Sequence, residues 1–175
     1  MNYSKEKKII VLAFITAFAL TIYIAEMFIP KPLPFIKLGL SNVVIVYMLY
    51  SGLPLEALIV TLAKTVVGGF LSGTLFSPTT LMSFTGGISA FLAMYLFYNS
   101  KMKFSIIGIS ILGSVSHNLA QLFTVKYVII KDTKLLYLLP VLLLLGILTG
   151  LITGYFAHLL NKQIDIRSLY ERNDS

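Results

Sequence analysis

The sequence predicts an all-α integral membrane protein, a bundle of six transmembrane helices. Of its 175 residues, 57% are hydrophobic and only 12% are charged, whereas about a quarter of the residues of a soluble domain are charged. The mean hydropathy is +0.89, and long apolar runs alternate with short polar segments. A helix needs about 20 apolar residues to cross a bilayer, so six spans occupy roughly 120 positions. This composition excludes a soluble enzyme.

Proline, glycine, lysine and asparagine interrupt the apolar runs and mark the ends of the six predicted spans. The spans cover about residues 9–29, 38–50, 53–75, 79–98, 104–130 and 135–160. The second is short for a crossing, so it either begins within residues 32–37 or sits behind other helices. The first follows a positively charged segment, as in a signal peptide, but its apolar run is too long for one. We therefore expect a retained first span.

The spans form one predicted domain, residues 1–160, followed by a polar tail, residues 161–175. Cytoplasmic loops of membrane proteins carry the excess of Lys and Arg. With both ends inside, that side holds eight, namely Lys5, Lys7, Lys8, Lys101, Lys103, Lys162, Arg167 and Arg172. The other side holds five, namely Lys31, Lys37, Lys126, Lys131 and Lys134. The count predicts a plasma-membrane protein of a prokaryote with cytoplasmic termini, whose net charge of +7 anchors it to anionic membrane lipid. It gives no reason to expect nucleic acid as a partner.

Polar side chains within the predicted spans lie on two helix faces at similar depth. One face of the fifth span carries Ser110, Ser114, His117, Gln121 and Thr124, spaced 4, 3, 4 and 3 residues apart. One face of the third span carries Thr61, Lys64, Thr65, Gly68 and Ser72. Polar groups are costly in lipid and mark cavities or helix contacts. The two faces predict one shared, water-accessible pocket.

The candidate ligand-binding residues are the polar side chains of these faces and of the outer halves of other spans. They are Lys64, His117, Asn118, Gln121, Glu26, Asn42 and Ser83. Other roles remain open for them. Lys64 can serve a structural pair or snorkel to the interface, His117 can be a hydrogen-bonded core residue, and Glu26 can lie exposed at the interface. For Ser83, a hydrogen bond to its own helix is the commoner role.

Small residues recur at four-residue spacing on three spans, a pattern that lets helix backbones approach closely. The pairs and triplet are Ala13 and Ala17, Gly69 and Gly73, and Gly146, Gly150 and Gly154. For the glycines, packing within the chain is the favoured interpretation. Gly86 and Gly87 either loosen the fourth span or pack closely against a neighbour.

The chain lacks the residues that several kinds of enzyme or metal site need. The chain has no GxxxxGK[ST] sequence for ATP phosphates and no cysteine. Its only aspartates, Asp132, Asp165 and Asp174, are too far apart to hold magnesium on a diphosphate. Two histidines and no HExxH sequence give no catalytic metal site. We therefore expect neither an enzyme nor a cofactor.

Four segments carry a resemblance to a known family. They are AFITA at residues 13–17, PFIKLGLSN at 34–42, Lys64 with GTLFSP at 73–78, and SVSHN at 114–118. With the six-span layout, these segments resemble the small membrane family called both heptaprenyl diphosphate synthase component I and Gx transporter. That family is similar to the substrate-binding S components of energy-coupling factor (ECF) vitamin transporters. The resemblance extends over about residues 9–160.

The resemblance implies a membrane bundle that captures a small molecule from the outer face. Ala13 and Ala17 are similar in placement to the AxxxA pair with which S components pack on a coupling transmembrane subunit that carries two ATPases. The synthase part of the family name fits poorly with this chain, because the chain lacks the clustered aspartates that hold magnesium on a diphosphate. Relatives are associated with flavin-based extracellular electron transfer, which implies a possible role beside a flavin or quinone partner.

Two functions are therefore expected. In the first, the chain is a substrate-binding subunit for uptake, in which Lys64 binds an anionic or carbonyl-bearing small molecule and Phe70, Phe84 and Tyr127 form apolar walls. In the second, it is an accessory membrane subunit of isoprenoid-quinone biosynthesis or of flavin- or quinone-linked electron transfer, and holds its ligand without moving it.

Overall fold

The computed structural model describes residues 3–29, 38–130 and 133–171, and every regular element in these ranges is helical. The elements are α1 (Tyr3–Ala25) with a 3-10 turn (Glu26–Phe28), α2 (Asn42–Tyr50), α3 (Pro54–Leu71), α4 (Pro78–Tyr98), α5 (Ile106–Thr124) with a π-helical turn (Val125–Ile129), a 3-10 helix (Thr133–Leu138), α6 (Leu139–Gln163) and α7 (Ile166–Glu171). Packing between α5 and α6 and between α4 and α5 forms one side of the bundle. Helix α3 packs against both α1 and α4, and α2 packs equally against α3 and α6.

Five described segments are long and apolar enough to cross a membrane. They are Glu6–Phe28, Pro54–Leu71, Pro78–Tyr98, Ile106–Ile129 and Lys134–Gln163. The prediction of an all-α membrane protein is therefore confirmed. The count of six spanning helices is not, because α2 has nine residues and a helix of that length measures about 14 Å, less than half of a hydrocarbon core.

Helix α2 sits behind the other helices, one of the two alternatives left open by its short sequence. Every residue from Asn42 to Leu49 is buried. An all-round apolar surface suits a helix that is enclosed on every side. The other alternative, a start within residues 32–37, falls outside the described residues.

The C-terminal ends of α2 and α6 meet at one end of the bundle. Tyr47 donates a hydrogen bond from its hydroxyl to the carbonyl of Ile164 at 2.6 Å and accepts one from the backbone N–H of Ile166 at 3.2 Å. Ile166 is buried. Helix α6 thus continues past the predicted boundary at residue 160, and the first part of the polar tail packs on the bundle.

Three glycines hold α5 and α6 in backbone contact. Gly146, Gly150 and Gly154 face Val115, Ile111 and Ile107 in turn. A Cβ atom added to Gly150 would lie 2.5 Å from the Cα atom of Ile111, a distance that no side-chain rotation relieves. The prediction that this glycine triplet packs within the chain is confirmed.

For the pair Gly69 and Gly73, the predicted role in close helix packing is wrong for Gly73. Helix α3 ends at Leu71 rather than at residue 75, and Gly73 follows it in the left-handed region with φ of +66°. A Cβ on Gly73 would have no atom within 4 Å. Gly73 therefore serves the turn that ends the helix, while Gly69 packs against Thr80.

Candidate ligand site

Lys64 is the charged centre of the site. It lies in the middle of α3, only 3% exposed. Its ammonium group donates hydrogen bonds to Ser41 Oγ at 2.9 Å and to Asn42 Oδ1 at 2.7 Å. Both acceptors are uncharged side chains at the start of α2. A lysine at this depth costs about 2.5–3.5 kcal/mol on insertion scales, and these two bonds offset part of that cost.

Glu26 lies at the end of α1 and is fully enclosed, so of the two roles left open for it, simple exposure at the interface does not apply. Its side chain is 1% exposed. One carboxylate oxygen accepts a hydrogen bond from the backbone N–H of Gly39 at 2.9 Å, and the other accepts from the N–H of Leu40 at 3.0 Å. Glu26 thus fixes the chain just before Ser41 and Asn42, the two residues that hold Lys64.

His117 and Gln121 form a pair on the buried face of α5. The Gln121 side-chain nitrogen lies 2.7 Å from His117 Nε2. If the amide N–H donates, the imidazole nitrogen accepts, and a neutral ring then carries its proton on Nδ1. The ring lies against Gly86 of α4, where an added Cβ would come within 2.8 Å of it. Close packing, one of the two roles considered for Gly86, is therefore what the structure has.

Lys64, His117 and Glu26 line the same internal cavity. The remaining lining residues are Tyr23, Gly39, Ser41, Thr65, Ser83 and Gly87. The cavity has a volume of about 10 Å³, enough for about one water molecule. Only part of the two polar faces recognised in the sequence meets here: Lys64 and Thr65 of α3 share the cavity with His117 of α5. Ser110 and Thr124 of α5 instead bond to Thr153 of α6 and to Thr85 of α4. The predicted water-accessible pocket is therefore a much smaller cavity, and its use for binding remains a prediction.

The other candidate residues contribute in different ways. Ser83 lines the cavity while its hydroxyl bonds to the carbonyl of Thr79 in its own helix at 2.9 Å. Asn42 and Gln121 do not line the cavity. Asn42 bonds to Lys64 and Gln121 to His117, so each holds a residue that does. Asn118 does not line the cavity, because its amide donates to the carbonyl of Leu142 in α6 at 3.0 Å.

Sequence reasoning missed Tyr23, Gly39 and Ser41 as lining residues. Tyr23 lies three residues before Glu26, a spacing that puts both side chains on one helix face, so the sequence did contain a signal for it. Ser41 adjoins Asn42 but belongs to the turn before α2. Gly39 has φ of +77°, and the position of such a turn depends on contacts that are distant in sequence.

An apolar groove adjoins the cavity on the other side of Thr65, which lines both hollows. The groove has a volume of about 580 Å³ and is formed by α3, α4, the segment between them and the π-helical turn. Phe84, expected as a wall of the ligand pocket, lines this groove and not the cavity that holds Lys64. Phe70 and Tyr127 line neither hollow, and they are 71% and 61% exposed.

Ala13 and Ala17 lie on an exposed face of α1. The neighbouring Ile10 and Phe14 are 66% and 76% exposed, whereas Ile15, Ala19 and Tyr23 are buried. The rest of the described chain leaves this apolar face uncovered. It is available to lipid or to a partner helix.

The arrangement offers hydrogen-bond donors, one buried ammonium group, an imidazole and the carboxylate of Glu26, whose oxygens are already bonded to backbone N–H groups. The donor groups suit the binding of an anion or a polar oxygen. Among residues 3–29, 38–130 and 133–171, no three His, Asp or Glu side chains cluster as metal ligands would.

Comparison with known proteins identifies the family. No curated protein and no solved structure matches the chain. The model of the heptaprenyl diphosphate synthase component I family matches residues 15–160. This description names one component of a synthase, in agreement with the expectation that the chain is not an enzyme by itself. Because the match covers well over half of its length, the chain belongs to the heptaprenyl diphosphate synthase component I family.

Proposed function

We propose that this protein is a substrate-binding subunit similar to the S components of ECF transporters. It lies in the plasma membrane, captures a small molecule from the outer face and depends on partner ATPases for uptake. Both termini are proposed to be cytoplasmic. Although α2 is too short to span a bilayer alone, it ends beside Ile164 after α6, and α7 packs on α1, which favours both termini at one end of the bundle. The burial of Lys64 beside His117 is the observation that supports this function. An ionisable side chain inside a membrane helix is by default a functional candidate.

The chemistry of Lys64 suggests an anionic or carbonyl-bearing ligand. Ser41 and Asn42 present uncharged oxygens to the ammonium group, and ligand oxygens can take their place. An anion forms charge-assisted hydrogen bonds, which are about twice as strong as neutral ones. His117 and Ser83 line the same cavity and add hydrogen-bonding groups.

The small cavity implies that binding changes the site. Ligand pockets typically have volumes of about 300–1,000 Å³, whereas this one has about 10 Å³. The described conformation is therefore a closed form of the site. A ligand enters only when the side chains or the turn around Lys64 move apart.

Uptake needs a partner, because the sequence has no ATP-binding P-loop. The exposed face of α1 with Ala13 and Ala17 is the proposed contact with a coupling transmembrane subunit. Small residues four apart allow a second helix to approach closely.

Ligand identification and one substitution test this function. The protein is purified from its native membrane, co-purifying small molecules are identified by mass spectrometry, and their affinities are measured. Lys64→Met keeps most of the length of the side chain and removes its charge, so we expect at least tenfold weaker binding. The matched control is Lys103→Met at an exposed lysine, and thermal unfolding checks that both variants fold. Unchanged affinity in folded Lys64→Met contradicts the proposal.

The family description favours a second function. In this alternative the chain is an accessory membrane subunit of isoprenoid-quinone biosynthesis, with another synthase component as its partner, or of flavin- or quinone-linked electron transfer. The apolar groove of about 580 Å³ beside the polar cavity suits an isoprenoid chain. A co-purifying quinone, yellow chromophore or prenyl synthase favours this function, whereas ATPases with a water-soluble compound favour uptake.

A further inference from the structure

We propose that Glu26 is a positioning residue that controls access of anions to Lys64. It does so by holding the turn formed by residues 39–42, called here the 39–42 turn. The inference rests on the proposed function in one respect, the role of Lys64 as the ligand-binding group.

Four consecutive residues of the chain are held between an acid and a base. The first two, Gly39 and Leu40, donate their backbone N–H groups to the two carboxylate oxygens of Glu26. The next two, Ser41 and Asn42, accept from the ammonium group of Lys64. Glu26 belongs to the end of α1 and Lys64 to the middle of α3. The 39–42 turn therefore links the two oppositely charged groups.

The turn fits closely against the rest of the site. A Cβ atom added to Gly39 would lie 3.0 Å from Asn42 Nδ2 and 3.3 Å from His117 Cδ2. The left-handed conformation of Gly39 also disfavours any larger residue. The close approach of Gly39 to His117 thus limits movement of the turn at its first residue.

Asn42 offers a second ligand contact once the turn moves. Its Oδ1 accepts from Lys64, while its Nδ2 is buried and has no hydrogen-bond partner among the described residues. A buried donor without a partner costs about 1–3 kcal/mol. A ligand oxygen that replaces Asn42 Oδ1 at the ammonium group can also accept from this amide nitrogen.

These contacts set a cost for any ligand that reaches Lys64. A ligand that reaches the ammonium group must displace Ser41 and Asn42, and the two bonds to Glu26 oppose the movement of the turn. Charge-assisted bonds to an anion offset this cost better than neutral bonds do. The Glu26 carboxylate also lines the same cavity and repels an anion, so Glu26 restricts access to Lys64 both through the turn and through its own charge.

The test uses the full chain in detergent without any ligand. Hydrogen–deuterium exchange measures the backbone amides of Gly39 and Leu40, and acetic anhydride followed by mass spectrometry measures acetylation of Lys64. Glu26→Gln keeps one acceptor oxygen and replaces the other by an N–H donor. We expect several-fold faster exchange at residues 39–40 and several-fold faster acetylation of Lys64. Acetylation of the exposed Lys101 and Lys103 should not change.

Glu56→Gln is the matched control, because Glu56 lies in the first turn of α3 and does not line the cavity. Unchanged acetylation of Lys64 in Glu26→Gln overturns the proposal, and so does equally fast acetylation in Glu56→Gln. If Glu26→Gln does not fold, hydrogen exchange in the wild-type protein tests the role of Glu26 instead. Exchange of the Gly39 and Leu40 amides at the rate of unprotected amides contradicts the role of Glu26, and strong protection supports it.

The result is separable from the test of the proposed function. No ligand enters the exchange and acetylation measurements, so they report on Glu26 alone. If Lys64→Met binds its ligand normally, the proposed function fails whatever these measurements show. If acetylation does not respond to Glu26, then Glu26 does not hold the 39–42 turn over Lys64. Lys64 itself remains a candidate ligand residue.

Discussion

Gly86 of α4 lies directly against the imidazole ring of His117 of α5. A Cβ atom at position 86 would come within 2.8 Å of both Cε1 and Nδ1 of the ring. The ring is also held by Gln121, at 2.7 Å from its Nε2 atom. The orientation of His117 toward the cavity thus depends on the absence of a side chain in the neighbouring helix.

Gly86→Ala should therefore displace the histidine ring. We expect a loss of about 1–3 kcal/mol in the free energy of unfolding, the usual cost of overpacking, and weaker ligand binding. Gly87→Ala also changes the cavity lining, so it is the control for stability alone: its Cβ would lie 3.3 Å from the methyl group of Thr61, a milder contact. Thermal unfolding in detergent measures both variants. Equal stability of the two would show that the ring moves without cost.

Gly150→Ala should separate α5 from α6. Its Cβ would lie 2.5 Å from the Cα atom of Ile111, and a backbone atom moves only if the whole helix moves. We expect destabilisation by about 1–3 kcal/mol, measured by thermal unfolding. Gly108→Ala on α5 should be neutral or slightly stabilising, because its Cβ would make only ordinary contacts, at 3.4 Å and beyond, and alanine favours a helix.

Ala17→Leu should separate binding from uptake. Ala17 is exposed on α1, so a larger side chain fits without disturbing the bundle but prevents the close approach of a partner helix. We expect unchanged ligand affinity in the purified chain and a severalfold loss of uptake in cells. Phe14→Leu, on the same exposed face, is the control and should transport normally. Normal uptake by Ala17→Leu would exclude this face as the coupling contact.

The membrane orientation can be measured directly, because the chain has no native cysteine. The positive-inside count predicts that Lys101→Cys, between α4 and α5, reacts with a membrane-impermeant maleimide only after the cells are opened. Phe76→Cys, between α3 and α4, should react in intact cells, since Phe76 is 98% exposed. The reverse pattern would place the cavity nearer to the cytoplasmic face.

The sequence was informative where a pattern repeats along one helix. The depth and facing of Lys64 and His117 followed from helical spacing, and the glycines at 146, 150 and 154 followed from a four-residue repeat. Both patterns depend on the geometry of a single helix. For the same reason the long apolar spans were recognised correctly.

The remaining features depend on contacts between distant segments. Glu26 bonds to backbone N–H groups, which every residue except proline carries, so its partners have no sequence signature. Asn118 has the same helical spacing as a lining residue but turns toward Leu142. The burial of α2 depends on how its neighbours surround it, since an apolar segment of nine residues also suits part of a membrane span.

The backbone contact between α5 and α6 limits how the cavity can open. Three glycines spread over more than two helical turns lock these helices together, so we expect the pair to behave as a fixed wall that carries His117. A groove of about 310 Å³, lined by Phe18, Ile22 and Phe156, separates α1 from this wall. Expansion of the site should therefore come from a swing of α1 and the 39–42 turn, leaving the histidine stationary as the ligand arrives.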